Sequence, residues 1–106
     1  MTNHSPVVTL RLSPETASAL HDIAHQQNRP RSQLVRNALA YYLSEPDGHL
    51  TPDDDATYPV HIAFRADHNL ITLLEQHATA HHVPLSTVLR RAITKWIHSS
   101  TVAAGA

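Results

Sequence analysis

The sequence predicts a mainly α chain with one short β-ribbon: two strand–helix–helix repeats whose strands pair antiparallel under four helices. Three observations predict it. Sliding the 106-residue chain against itself by 54 residues brings 7–43 onto 61–97 without a gap and superposes Arg11/Arg65, Leu20/Leu74, Ala24/Ala78, Pro30/Pro84, Ser32/Ser86, Arg36/Arg90 and Ala38/Ala92. Each repeat opens on a short run that alternates between two faces, the period of a half-buried strand. Each is then divided by a proline, Pro30 or Pro84, through which a helix does not easily run.

The elements follow in order. Val8, Leu10 and Leu12 fall on one face of the first strand and Val7, Thr9 and Arg11 on the other; Ile62, Phe64 and Ala66 are the matching inner positions of the second, with His61, Ala63 and Arg65 outside. Ser13 is a good N-cap, Pro14 is preset for a first turn, and Glu15 suits the positive end of the helix dipole. Asp67 takes the capping role in the second repeat. The first helix is predicted to run to about Gln26, with Ala17, Leu20, Ile23 and Ala24 as its apolar stripe. After Pro30 a second helix is predicted from Arg31 to Leu43 on the stripe Leu34, Val35, Ala38, Leu39 and Tyr42. After Pro84 its counterpart runs from Leu85 to Ile97 on Val88, Leu89, Ala92, Ile93 and Trp96. The chain divides into a first unit, 1–43, an acidic flexible linker, 44–58, a second unit, 59–97, and a disordered tail, 98–106.

Neither unit is expected to stand alone. About 40 residues bury too small a core, and a lone strand has no ladder partner. Pairing the two strands removes both problems, and a linker of this length extends to roughly 50 Å, enough for the units to meet within one chain. Exchange between two chains satisfies the same contacts, so both pairings remain open at this stage.

Composition excludes several classes. There is no cysteine, hence no disulfide or thiolate metal site, and the only glycines are Gly48 and Gly105, which excludes a glycine-rich phosphate loop. No stretch approaches the roughly 20 apolar residues of a membrane span, and no basic-then-apolar leader follows the N-terminus, so the expectation is a soluble, cytoplasmic protein without a membrane partner. No nucleophile–base–orienter set is present and no carboxylate pair lies outside the linker, so no enzyme and no cofactor are expected. His21/His25 and His77/His81 have the i, i+4 spacing of a shared metal, but no carboxylate or cysteine recurs beside both pairs. Histidine used in place of lysine is the favoured reading, with a metal site or a pH-sensitive interface as alternatives. Tyr41, Tyr42 and Trp96 are assigned to the core or its rim.

Net charge is −1, but the distribution matters more: residues 1–43 and 59–106 each carry +2, and 44–58 carry −5. The linker acids read as a spacer, a shield over basic surface, or a partner-binding segment.

An alternating strand, a Ser-Pro or Asp helix start, a break, and then "RPRSQLVRNALAYYL" or "VPLSTVLRRAITKWI" resembles the ribbon-helix-helix family of the MetJ/Arc/CopG type, in tandem. The resemblance implies a ribbon laid in the major groove of double-stranded DNA, with Val7, Thr9, Arg11, His61, Ala63 and Arg65 as base readers. It implies phosphate contacts at the start of each second helix, at Arg31 and Ser32 and at Leu85 and Ser86, with Arg29, Arg36, Arg90, Arg91 and Lys95 as further candidates. Arg36 and Arg90 alternatively make structural salt bridges in the helix layer. The chain departs from the family in placing a proline where many members have a polar cap, which removes an N–H donor in each repeat. Relatives imply a transcriptional repressor or autoregulator; TraY-type relaxosome accessory proteins, with a relaxase partner, and antitoxins, with a toxin partner, are the alternatives. Homo-oligomers on adjacent subsites are a further expectation.

Overall fold

The computed structural model describes residues 6–105. Strand β1 (Val7–Leu12) is followed by α1 (Pro14–Gln27) and α2 (Arg31–Ser44); a 3-10 turn at Asp55–Thr57 precedes β2 (Val60–Arg65), α3 (His68–Ala80) and α4 (Leu85–Gly105). The fold is mainly helical with a two-stranded antiparallel sheet, within one chain.

The alternation read from sequence sets the sheet's two sides. Leu10, Leu12, Ile62, Phe64 and Ala66 are buried, whereas Val7, Thr9, His61, Ala63 and Arg65 are exposed and Arg11 is half-buried. In register, Val7 lies opposite Arg65, Thr9 opposite Ala63, and Arg11 opposite His61. Helix α4 packs on β1 and α2 on β2, and α2 against α4. The core beneath the ribbon is built from Leu20, Leu34, Leu39, Leu74, Leu89 and Ile93, all essentially without exposure, with Tyr42 the largest side chain fully enclosed.

The ends of α1 and α3 are built alike. The Asn28 and Arg29 amides donate to the carbonyls of His25 (3.2 Å) and Ala24 (3.0 Å); His82 and Val83 donate to Thr79 (3.1 Å) and Ala78 (3.0 Å), each position shifted by the same 54 residues. Both turns need a left-handed residue, supplied by Asn28 (φ 54°) and His82 (φ 56°). Asparagine tolerates that conformation better than other side chains with a Cβ. His82→Asn is therefore expected to raise stability by about 0.5 kcal/mol, read as a higher urea midpoint at unchanged slope.

Three expectations are corrected. Ser13 caps α1 through its side chain, which accepts from the Thr16 amide at 3.1 Å, but Asp67 makes no such bond at the start of α3. Helix α4 does not stop at Ile97: it continues to Gly105, because nothing from His98 to Ala104 breaks a helix, and of the expected disordered tail only Ala106 lies outside the described residues. The segment 44–58 is not a slack linker. Leu50 is buried in the core, and Asp47 and Asp53 are ion-paired to α4. Its acidic side chains meet the basic positions of α4, so docking is favoured by opposite charge as well as by apolar burial.

Candidate nucleic-acid interface

The outward face of the ribbon carries three cross-strand pairs: Val7 with Arg65, Thr9 with Ala63, and Arg11 with His61. One face of a two-stranded ribbon presents side chains in a row because successive residues alternate sides. All six residues expected on this face lie on it. Val7 is 54% exposed, an unusual position for a β-branched apolar side chain. Two guanidinium groups sit near opposite ends, and between them lie a hydroxyl and a methyl.

Each end of the ribbon is met by the start of a helix. At the Val7/Arg65 end, Ser32 and Arg36 of α2 line a shallow depression with Val7, Ala63, Phe64 and Arg65. Arg36 Nη1 donates to the Arg65 carbonyl at 3.1 Å. At the Arg11/His61 end, Arg90 Nη1 of α4 donates to the Arg11 carbonyl at 3.3 Å. Arg36 and Arg90, equivalent under the 54-residue shift, thus each tie a helix to the matching arginine of a strand. Arg29 and Arg31 are exposed beside the start of α2, and Leu85 and Ser86 are half-buried at the start of α4. Pro30 precedes α2 without a side-chain cap, and its carbonyl takes the Gln33 amide at 3.1 Å, so of the first-turn amides those of Arg31 and Ser32 have no intrahelical acceptor.

The two ends differ in what occupies them. Arg90, with its side chain 6% exposed, is held by both oxygens of Asp53 (Nε 2.9 Å, Nη2 2.6 Å) and by Asp55 (Nη2 2.6 Å), with its guanidinium 4.3 Å from the centre of the Tyr58 ring. Hydrogen bonds from Arg90 hold the Asp53 carboxyl down at about 2 against the opposing effect of burial, and the Thr87 and Tyr58 hydroxyls donate to it as well. Ser86 Oγ donates to Asp55 Oδ1 at 3.0 Å, and Arg11 Nη1 to the Asp55 carbonyl at 3.5 Å. With the connecting segment docked, Arg90 takes the second of the two roles left open for it, a structural salt bridge in the helix layer. Arg91 is exposed but paired with Asp47, and Lys95 bonds Asp47 at 3.0 Å. Desolvation of Asp47 is outweighed by these two cations, which hold its carboxyl below the ordinary range.

The histidine pairs are not brought to one place with carboxylates. Among the described residues, no group of three or more metal-ligating side chains converges. The His77 and His81 rings lie 4.4 Å apart, and His77 Nε2 is 3.1 Å from the Tyr42 hydroxyl. Burial, then the neighbouring His81, push His77 below its ordinary value. Asp53, Asp55, Thr87 and Tyr58 are the site residues that sequence reasoning missed. The acidic run was visible as charge, but which cations it meets depends on the path of the chain.

Among the described residues no helix is long and apolar enough to cross a membrane. Comparison with family models, with curated proteins and with solved structures finds no match.

Proposed function

We propose that this chain is a sequence-specific double-stranded DNA-binding protein of tandem ribbon-helix-helix design, which reads the major groove with the outward face of β1 and β2 and acts as a transcriptional repressor. The carrying observation is the register of that face: Arg11 and Arg65 at opposite ends, Thr9 and Ala63 between them, and a helix start beside each end. The major groove admits a two-stranded ribbon, and an arginine there pairs bidentately with guanine O6 and N7. Thr9 accepts or donates, and Val7 and Ala63 suit a thymine methyl. Helix-start amides with Arg29, Arg31 and Ser32 supply phosphate contacts that position the ribbon without reading sequence. Because the two strands differ, the recognised site is asymmetric.

The test is a titration against DNA upstream of the protein's own gene, with random duplex as competitor, at two salt concentrations. Specific binding that weakens with salt is expected; equal binding to random duplex overturns the sequence-specific reading. Within it, Arg11→Ala or Arg65→Ala is expected to cost about 1–3 kcal/mol of affinity and to relax base preference on one arm only. Equal loss on random duplex would make them phosphate contacts.

A further inference from the structure

The contacts of Arg36 and Arg90 make the two ends of the ribbon equivalent, but the connecting segment sits at only one of them. There, Asp55 accepts from Ser86 at the start of α4 and pairs with Arg90, while its carbonyl accepts from Arg11. These are a helix-start hydroxyl, a buried guanidinium and a ribbon arginine. The first two, which meet the Asp55 carboxylate, are donors of the kind that hold a nucleic-acid phosphate, and the third is a base reader of the ribbon held by the same residue. At the other end Ser32 makes no side-chain hydrogen bond among the described residues, and no carboxylate of 44–58 reaches it.

We propose that Asp55, carried by the 3-10 turn Asp55–Thr57, is an intramolecular stand-in for a DNA phosphate: it occupies the seat at the α4 end, and DNA must displace it to engage that end. This rests on the DNA-binding reading above. The Asp55 side chain is 55% exposed, so it sits over the seat rather than inside the core and can leave without unfolding it. Asp53 is the hinge-side anchor, held to Arg90, Thr87 and Tyr58. The α4 end closes on DNA only when the turn lifts away. The segment is thereby an autoinhibitory strap on one arm of the ribbon, and it weakens binding to any duplex.

The experiment compares wild type, Asp55→Ala, Ser86→Ala and the double variant with Glu45→Gln as a charge control, all in the full chain, by titration of specific and random duplexes at two salt concentrations. Glu45 removes the same charge from the same segment, but its side chain does not touch the seat. Asp55→Ala is expected to tighten both duplexes about five- to tenfold and to steepen the salt dependence by about one phosphate contact. Glu45→Gln should give well under half of that gain, and Ser86→Ala should remove most of it. Amide exchange at 54–57 in wild type should accelerate when DNA is added. Equal gains from Asp55→Ala and Glu45→Gln, or no gain with wild type binding DNA normally, would overturn the strap and leave the DNA reading intact. If neither wild type nor Asp55→Ala binds any duplex, the DNA reading itself fails and the strap with it. Binding by Asp55→Ala alone would support both.

Discussion

Phe64→Ala is expected to destabilise the protein by about 3–5 kcal/mol, the range for emptying an enclosed aromatic site. Phe64 is 4% exposed, on the inner face of β2 directly opposite Val8. Its ring lies in the layer between ribbon and helices, where β1 and β2 contribute Val8, Leu10, Leu12, Val60, Ile62 and Phe64 itself. A domain of this size has about 5–15 kcal/mol of total stability, so the loss is a large fraction of it, with a melting temperature lower by about 10 °C or more. The neighbouring Ala63→Ser, on the outward face, should change stability by less than about 0.5 kcal/mol. Comparable losses at 63 and 64 in thermal unfolding would show that the ribbon's two faces are misassigned.

The second large effect is expected at Arg90. Arg90→Ala should cost about 2–4 kcal/mol, because it leaves the Asp53 carboxylate with two hydroxyl donors and no cation, beside the emptied space of a buried side chain. Arg36→Ala, 54 positions earlier, loses a bond to the Arg65 carbonyl and should cost only about 1 kcal/mol. Arg91→Ala breaks a pair whose arginine is 47% exposed and should fall within about 1 kcal/mol. Urea unfolding of the three variants separates these values. The same pair sets an acid limit. Asp53 is held at about 2, below its ordinary value of 3.8. A carboxylate with a depressed folded value contributes stability that is fully present above its unfolded value and is lost as pH falls through the folded one. Docking of 44–58 should therefore persist at pH 5 and weaken between about pH 4 and pH 2. In Arg90→Ala the Asp53 part of that dependence should shrink, which far-UV circular dichroism and the NMR shifts of the Tyr58 ring, followed with pH, would report.

Much of the architecture was legible because it rests on local periods. Val8-Leu10-Leu12 and Ile62-Phe64 alternate at the strand period, and Pro30 and Pro84 cut the helices where the structure cuts them. The outward face of the ribbon followed from the same alternation. What failed was whatever depended on long-range placement. Asp53 and Arg90 are 37 residues apart, and no periodicity links them. Arg36 and Arg90 look interchangeable in sequence; only the path of 44–58, over one helix start and not the other, separates a half-buried arginine from a fully committed one. Asp67 has the chemistry of a cap but not the geometry, since capping needs a side-chain torsion that residue type alone does not set. The length of α4 was missed for a simpler reason: a polar, small-residue stretch carries no stop signal, and its absence permits a helix as readily as a coil.

The pairing of β1 with β2 inside one chain has a consequence for dilution. A ribbon assembled from two separate chains is governed by mass action and comes apart below its dissociation constant. Here the partner strand is tethered, and the tether is itself fastened to α4 through Asp47 and Asp53 and to the core through Leu50. The second strand is presented at an effective concentration set by the tether and not by the number of molecules present. The ribbon should therefore be intact in a cell holding only a few copies. Its melting temperature should be the same at nanomolar as at micromolar protein.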